Sequence, residues 1–186
     1  MHTILFDLCA AYLIGAIPTG YLFSYLYGSI DIRRYGSGNI GASNVARVFG
    51  PLSFMCVFLI DAGKAYLFML FLKSLMYNEY SLLLCAFILL LGNMYSIFLQ
   101  GDGGKGVATY VGLVTSLQSL YLGYFLGLVW FFVLGITRIP AYASLAMVWM
   151  IFLYGCMHYN QAMVWFLFIS SLLISMRHRF NIMKGK

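Results

Sequence analysis

The chain has 186 residues, of which 63% are hydrophobic and only 9% are charged, and its mean hydropathy is +0.90. A soluble domain usually carries about 25% charged residues, so this composition excludes an ordinary water-soluble protein and indicates that the solvent is a lipid bilayer. We expect one integral membrane domain over residues 1–186, with no separate soluble domain and no nucleic acid partner.

Six apolar stretches follow one another along the chain, at 3–27, 51–72, 79–99, 107–137, 141–156 and 161–176. Crossing the hydrocarbon core of a bilayer takes about 20 helical residues, so the fourth stretch is too long for one crossing. The polar patch Thr115–Ser119 predicts a break, between a short helix at 107–117 and a full one at 119–137. We therefore predict an all-α, polytopic membrane bundle of about seven transmembrane segments, several of them short.

Basic residues are distributed unevenly among the loops. With the N-terminus outside, nine of the eleven Lys and Arg residues fall on the inner side, whereas Asp7, Lys73 and Glu79 fall outside. The nine are Arg33, Arg34, Arg47, Lys105, Arg138, Arg177, Arg179, Lys184 and Lys186. Because cytoplasmic loops carry an excess of basic residues, we predict an outside N-terminus and a cytoplasmic C-terminus.

Two glycine-rich segments, at 33–47 and 101–109, lie on the same predicted side. Each packs glycines, hydroxyls and side-chain amides around a cation, which is Arg47 in the first and Lys105 in the second. Glycine opens the backbone to an anion, and a helix that begins at Val107 would present its N-terminus to one. The pattern predicts a protein that handles a phosphate-bearing molecule at the membrane surface.

Three familiar motifs occur without their structural context. Gly36–Gly41 matches GxGxxG, but a dinucleotide site needs a preceding strand and a βαβ unit, and membrane stretches flank this segment. Gly103–Gly106 lacks the earlier glycine of a Walker A motif and the Ser or Thr that follows its lysine. His2 and Asp7 form an HxxxxD pattern on the side opposite to the glycine-rich segments, so we attribute that match to chance.

Several polar residues interrupt or close the apolar stretches. Asp61 and Lys64 are three residues apart and share a helix face, so we predict an ion pair that braces the site. Past the last stretch, His178 and Asn181 also share a face and are able to point at the glycine-rich segments, whereas the neighbouring arginines are interpreted as a stop-transfer anchor. The four cysteines, Cys9, Cys56, Cys85 and Cys156, are predicted to be buried free thiols.

These residues resemble the PlsY family, the acyl-phosphate:glycerol-3-phosphate acyltransferases of bacterial membranes, over nearly the whole chain. The motifs that carry the resemblance are Ile17–Tyr21, Asp31–Arg33, Gly36–Arg47, Asp61 with Lys64, Gly103–Thr109, Thr137–Arg138 and His178–Ile182. The two glycine-rich segments together make the resemblance specific.

The resemblance implies transfer of a fatty acyl group from acyl phosphate to the 1-hydroxyl of glycerol 3-phosphate. The products would be lysophosphatidic acid and phosphate, as the first step of phospholipid synthesis. We expect no cofactor and, because no metal cluster is apparent in the sequence, no metal requirement. The resemblance further implies a multi-pass protein of the bacterial inner membrane with a cytoplasmic active site. A functional link to a peripheral enzyme that makes acyl phosphate would follow.

The resemblance also implies the site residues. The catalytic set would be Ser37, Arg47, Lys105, His178 and Asn181. The substrate-binding set would be Gly36, Gly38, Asn39, Gly41, Ser43, Asn44, Gly103, Gly104, Gly106, Thr109, Arg138 and Ser144. Arg47 and Lys105 would hold the phosphates, and the amides of Gly38, Asn39, Gly103 and Gly104 would assist them. The base for the attacking hydroxyl stays open between His178 and a phosphate of one substrate.

The chain departs from the family pattern at a few positions. Ser43 stands where Thr is common, Asn93 where His is frequent, and Ala141 where Ser is frequent. Asp102 beside the lysine segment is expected to weaken anion affinity, and the family's usual acidic extension would lie beyond Lys186.

Two other classes of function are compatible with a basic membrane protein. A carrier of anionic phosphoesters would place polar groups near the membrane midplane in broken helices, whereas the motifs here cluster at one interface. An assembly factor that holds lipid headgroups would not require two anion-binding segments and a histidine on one side.

Overall fold

The computed structural model describes residues 4–183, with the side chains of residues 4–179. Within that range the helices are α1 Ile4–Ala16, α2 Thr19–Gly28, α3 Ala42–Phe49, α4 Pro51–Ser74, α5 Glu79–Met94, α6 Val107–Leu117, α7 Leu120–Thr137, α8 Pro140–His158 and α9 Gln161–Met183. Short 3-10 turns occupy Ile32–Arg34 and Ile97–Leu99, and residues 4–183 contain no strand, which confirms the all-α prediction. His2, Lys184 and Lys186 lie outside the described residues.

Within residues 4–183, four helices are long and apolar enough to cross a membrane, namely α4, α5 with the turn after it, α7 and α8. The number is five if α1 and α2, which are bent by 40°, form one span. The predicted break in the fourth stretch is confirmed, because α6 ends at Leu117 and α7 begins at Leu120. At about 1.5 Å per residue α6 covers roughly half of the hydrocarbon core, so the count of seven crossings stays a prediction, as does the orientation.

Prolines and one asparagine determine several helix boundaries. The predicted first apolar stretch contains two helices, because Pro18 lacks an N–H and separates α1 from α2. Pro51 and Pro140 begin α4 and α8, the position at which the missing N–H costs nothing. Asn78 caps α5 by accepting the N–H of Ser81 at 2.9 Å.

Helix pairs pack closely where glycines face a neighbouring backbone. The main pairs are α1 with α5, α4 with α6, α7 with α8, and α8 with α9. A Cβ on Gly15 would lie 2.1 Å from the Leu89 carbonyl oxygen, and one on Gly112 would lie 2.1 Å from that of Ala62. Small residues therefore allow the backbone approach on which helix association in lipid depends.

The cysteines correct one prediction. All four are free, but only Cys85 is buried, whereas Cys9, Cys56 and Cys156 are exposed on the outside of the bundle. In a membrane protein both the interior and the lipid-facing surface are apolar, so an apolar stretch does not decide which way a thiol points.

Candidate active site

The Asn44 side chain shapes the first glycine-rich segment from within α3. Its Oδ1 accepts the backbone N–H of Ser37 at 2.7 Å, and its Nδ2 donates to the carbonyls of Tyr35 at 3.0 Å and Asn39 at 2.8 Å. Gly36 has φ +55°, and a Cβ there would lie 2.3 Å from the Asn44 Oδ1. The amide of Asn44 therefore holds the turn together and keeps Ser37 in place.

The second glycine-rich segment docks on the C-terminal end of α5. The N–H of Gly104 donates to the carbonyl of Asn93 at 2.8 Å, and a Cβ on Gly103 would lie 2.3 Å from the same oxygen. Gly106, with φ +82°, then turns the chain into α6. Lys105 is thereby held between a docked backbone and a helix N-terminus.

Arg177, near the end of α9, reaches the same segment. Its Nη2 donates to the carbonyls of Met94 at 2.7 Å and Gly103 at 3.1 Å, and its Nε donates to that of Gly104 at 3.4 Å. The guanidinium carbon lies 4.8 Å from the centroid of the Tyr95 ring. Arg177 thus joins α9, the end of α5 and the second glycine-rich segment.

His178 follows directly and is 3% exposed. Its Nδ1 lies 2.9 Å from the carbonyl oxygen of Ile174. A carbonyl only accepts, so Nδ1 carries the hydrogen and Nε2 of the neutral ring keeps its lone pair. Burial, and next the charge of Lys105, lower the pKa of His178, which lies past the apolar stretch 161–176, to about 4. The ring is therefore neutral at pH 7 and accepts hydrogen bonds through Nε2.

These elements surround a cavity of about 510 Å³. One part of its wall is apolar and mainly aromatic, formed by Phe54, Met55, Phe58, Trp130, Phe131 and Met147. The polar part contains many of the sequence-predicted residues, namely Ser37, Asn39, Gly41, Ser43, Asn44, Arg47, Gly104, Lys105, Gly106, Ser144 and His178. The structure therefore joins a polar and an apolar region in one cavity.

Other sequence-predicted residues do not line the cavity. Gly36, Gly38 and Gly103 lie in the turns that shape it. Thr109 is fully buried in α6, and Arg138 is exposed at the end of α7 with φ 56°. The side chain of Asn181 lies outside the described residues.

The polar part of the cavity is positively charged. Among the described residues, Arg47 and Lys105 make no hydrogen bond and no ion pair. Burial lowers the pKa of Lys105 from its ordinary 10.5 to about 8, and the charges of Arg47 and Arg177 add to that effect. No three His, Cys, Asp or Glu side chains in the described part of the chain form a set of metal ligands. The arrangement favours an anion.

The predicted role of three backbone amides is corrected. These N–H groups already donate within the protein, from Gly38 to Tyr35 at 3.0 Å, from Gly103 to Gly101 at 3.1 Å and from Gly104 to Asn93 at 2.8 Å. Closing a tight turn, or docking it on a neighbouring helix, uses the amides of the turn, so glycine content alone does not indicate open donors. The cavity wall instead includes the first turns of α3 and α6, at Ala42 and Val107, where helical N–H groups have no intrahelical acceptor.

Ser144 connects α8 to an aromatic part of the cavity wall. Its Oγ donates to the carbonyl of Pro140 at 2.9 Å and accepts the indole N–H of Trp130 at 3.1 Å. The Trp130 ring stacks on Phe54 of α4, with centroids 5.3 Å apart. The hydroxyl of Ser144 thus orients Trp130.

The predicted ion pair between Asp61 and Lys64 is confirmed, with Nζ and Oδ1 2.8 Å apart. Lys64 also donates to the carbonyl of Ile17 at 2.8 Å, and Asp61 accepts the hydroxyl hydrogen of Thr19 at 2.7 Å. The pair therefore satisfies polar groups at the break between α1 and α2, and Asp61 lines the cavity.

Sequence reasoning missed Arg177, Trp130 and Phe54 as parts of the site. Arg177 had one usable signal, since it adjoins His178 on the predicted side of the glycine-rich segments. The aromatic residues had none, because 18% of the chain is aromatic and most of it is apolar.

Known proteins are similar to this chain over almost its full length. The family model described as "Glycerol-3-phosphate acyltransferase" matches residues 5–185. A glycerol-3-phosphate acyltransferase of Ehrlichia canis is 33% identical over 182 residues, which cover 96% of this chain and 94% of the relative. One of Dinoroseobacter shibae is 37% identical over 177 residues, covering 94% and 85%.

Two crystal structures share the architecture, and both are of PlsY, an integral membrane glycerol 3-phosphate acyltransferase. The glycerol 3-phosphate form has a TM-score of 0.89 and the lysophosphatidic acid form one of 0.87, each at 33% identity and covering 97% of this chain and 90% of the other. The helical bundle and its cationic cavity thus define an integral membrane acyltransferase. The chain belongs to the PlsY family of glycerol-3-phosphate acyltransferases.

Proposed function

We propose that this protein transfers a fatty acyl group from acyl phosphate to the 1-hydroxyl of glycerol 3-phosphate, which releases lysophosphatidic acid and inorganic phosphate. The observation that carries the proposal is the composition of the cavity. Its cationic part contains Arg47 and Lys105, and its apolar part continues along Phe54 and Trp130. Such a cavity fits two phosphates at one end and an acyl chain along the aromatic wall.

The reaction needs no covalent enzyme intermediate, because acyl phosphate is a mixed anhydride and already activated. The hydroxyl oxygen of glycerol 3-phosphate forms a bond to the acyl carbon. The bond from that carbon to the phosphate oxygen breaks, and the phosphate leaves with the electron pair. The hydroxyl proton passes to a base. The enzyme must bring two anions together and stabilise the charge that develops.

Arg47 and Lys105 supply that stabilisation in the proposal. Both line the cavity, and both lack an anionic partner among the described residues. Two phosphates repel each other, so cations held beside them lower the energy of their approach and of the departing phosphate. The first turns of α3 and α6 add partial positive charge at the same wall.

His178 orients the attacking hydroxyl in the proposal. Its Nε2 is the acceptor of a neutral ring, since Nδ1 is engaged with Ile174. With a pKa of about 4, His178 is a weak proton acceptor. A phosphate dianion, whose ester forms have a pKa of about 6, is the stronger base. We therefore assign orientation to His178 and final acceptance of the proton to a substrate phosphate.

We also propose that the cavity opens to the cytoplasmic face of the bacterial inner membrane. The positive-inside distribution supports this orientation. In a variant without native cysteines, Arg34→Cys and Gln100→Cys, both at exposed positions near the site, would react with an impermeant thiol reagent only in inverted vesicles. Gln161→Cys at the opposite end would react only in right-side-out vesicles, and the reverse pattern would refute the orientation.

The donor is tested with the purified protein in lipid vesicles. Glycerol 3-phosphate is supplied with palmitoyl phosphate, palmitoyl-CoA or palmitoyl acyl carrier protein. We expect lysophosphatidic acid and inorganic phosphate in equal amounts with palmitoyl phosphate alone. Product from either thioester at a comparable rate would refute the proposed donor. Uptake of labelled glycerol 3-phosphate into sealed vesicles without product would instead identify a carrier.

A further inference from the structure

The Nε and Nη2 groups of Arg177 are engaged by backbone carbonyls around the second glycine-rich segment. The side chain donates to the carbonyls of Met94, Gly103 and Gly104 and lies over the Tyr95 ring. Its acceptors belong to two different elements, since Met94 is the last residue of α5 and the glycines precede Lys105. The planar fork of an arginine spans several acceptors, which the point charge of a lysine does not.

These contacts attach the segment that carries Lys105 to two helices. The Gly104 N–H already donates to the Asn93 carbonyl, so the segment is attached to α5 on one side. Arg177 attaches the Gly103 and Gly104 carbonyls to α9 on the other side. His178, the next residue of α9, faces the same cavity as Lys105. The relative position of Lys105 and His178 therefore depends on a link that runs through Arg177.

We propose that Arg177 is a positioning residue, whose guanidinium clamps the second glycine-rich segment to α9 and so holds Lys105 opposite His178 in the cavity. This inference rests on the proposed function in one respect, namely that Lys105 binds a substrate phosphate. Arg177 itself acts through Lys105, because its Nε and Nη2 donate to the three carbonyls and its side chain does not line the cavity.

The same placement sets the electrostatic surroundings of Lys105. Among the described residues, the charges that act on it are those of Arg47 from α3 and Arg177 from α9, and the charge of Lys105 acts in turn on His178 of α9. The positive charges of Arg47 and Arg177 lower the pKa of Lys105, in addition to the larger effect of burial. Removing the guanidinium both removes a charge and loosens the segment, and each change raises that pKa.

Arg177→Gln, Arg177→Lys and a control, Arg179→Gln, test the inference. Arg179 is exposed on the same helix, so its substitution makes the same change of charge without touching the clamp. We expect Arg177→Gln to raise KM for glycerol 3-phosphate by about tenfold or more, with a smaller change in kcat. Arg177→Lys keeps the charge but loses the fork, so its KM should be intermediate. Arg179→Gln should match the unsubstituted protein.

A second measurement does not depend on activity. The rate at which an amine reagent modifies Lys105, followed by mass spectrometry as a function of pH, reports the fraction of neutral amine. In the unsubstituted protein the midpoint should lie near 8, and in Arg177→Gln it should move upward toward the ordinary 10.5. Arg177→Lys keeps the charge but loosens the segment, so its midpoint should lie between those of the unsubstituted protein and Arg177→Gln. Thermal unfolding in detergent identifies variants that fail to fold. If Arg177→Gln fails to fold, the same measurements on Arg177→Lys test the inference.

The outcomes separate this inference from the proposed function. An unchanged Lys105 midpoint in Arg177→Gln, together with unchanged KM, would overturn the positioning role even if the unsubstituted protein uses palmitoyl phosphate. An equal loss in the Arg179 control would also overturn it, because the effect would then be one of overall charge. Absence of product from palmitoyl phosphate with a shifted Lys105 midpoint would refute the proposed donor and leave the clamp supported.

Discussion

The two ends of the bundle differ in what their charged side chains contact. At the cavity end, Lys105 and Arg47 face the cavity without an ion-pair partner among the described residues. At the opposite end, Lys73 donates to the last carbonyls of α6, and Glu79 accepts the side-chain amide of Asn160 at 2.8 Å. At the cavity end the two cations have no protein partner among the described residues, whereas at the opposite end the charged groups bind helix ends.

The difference shows which charges in a membrane protein indicate function. A charge in an apolar chain is costly unless something compensates it. Where the protein supplies the compensation, as at Lys73, the residue stabilises the fold. Where the protein does not supply it, as at Lys105, a substrate anion supplies it in the proposed function. Arg177 shows that position alone does not decide, since it lies at the cavity end and is engaged by carbonyls.

The largest expected effect tests the cavity end directly. Lys105→Met removes a half-buried cation from the anion site, which should cost about 2–5 kcal/mol of transition-state binding, so that kcat/KM falls at least about 30-fold. Steady-state assay with palmitoyl phosphate measures it. Arg34→Met removes an exposed cation at the same end and should stay within about twofold. Equal losses in both variants would mean that only net charge matters.

The pH dependence sharpens the same assignment. The Lys105 ammonium, with its pKa at about 8, loses its proton as pH rises through that value, so kcat/KM should fall on the alkaline side near pH 8. Lys105→Arg keeps a charge at all these pH values, and its alkaline decline should disappear even if its activity is lower. His178 stays neutral above pH 5 and adds no alkaline limb. A decline that persists in Lys105→Arg would assign the limb to another group.

The apolar part of the cavity predicts a change of donor preference. Gly127 lines the cavity on α7, and a Cβ there meets nothing within 4 Å, so a side chain would extend into open space. Gly127→Leu should shift the preferred donor to shorter acyl chains, by about tenfold or less in the ratio of kcat/KM for palmitoyl and decanoyl phosphate. Gly135→Leu, on the same helix and equally open but outside the cavity wall, is the matched control. An unchanged ratio would mean that the acyl chain of the donor binds outside this part of the cavity.

The smallest effect on activity is expected at the opposite end. Lys73→Met leaves the carbonyls of Ser116 and Leu117 without their donor in apolar surroundings, which should cost about 1–3 kcal/mol of stability. The thermal unfolding midpoint in detergent should fall, whereas kcat/KM should hardly change where both proteins are folded. Lys73→Arg retains donors and should recover most of the midpoint. A loss of activity without a loss of stability would contradict the division between the two ends.

Local patterns predicted much of the fold and the chemical character of the site. Hydropathy located most helices and the break before α7, because helix formation in lipid depends mainly on apolar length and on polar interruptions. The spacing of Asp61 and Lys64 predicted their ion pair, because an i, i+3 separation places two side chains on one helix face. The two glycine-rich segments predicted that Arg47 and Lys105 would lie on the same side, and both line one cavity.

Other features depended on contacts between distant parts of the chain. Ser144 lines the cavity, and its hydrogen bonds to Pro140 and Trp130 were not predicted. The amides of Gly103 and Gly104 were expected to be open, yet that of Gly103 closes a turn and that of Gly104 docks the segment on the end of α5. Spacing along the chain carries no information on which donor a buried acceptor finds once helices pack.

The amino-acid sequence by itself determined a helical membrane chain, its polar segments and the cations that they carry. Only the tertiary structure decided which of those polar groups form hydrogen bonds within the protein and which face the cavity. Arg177 and Gly103 lie 74 positions apart, and their hydrogen bond exists only because α9 packs beside the end of α5. The physical reason is that every buried backbone carbonyl requires a donor, and packing determines which side chain supplies it.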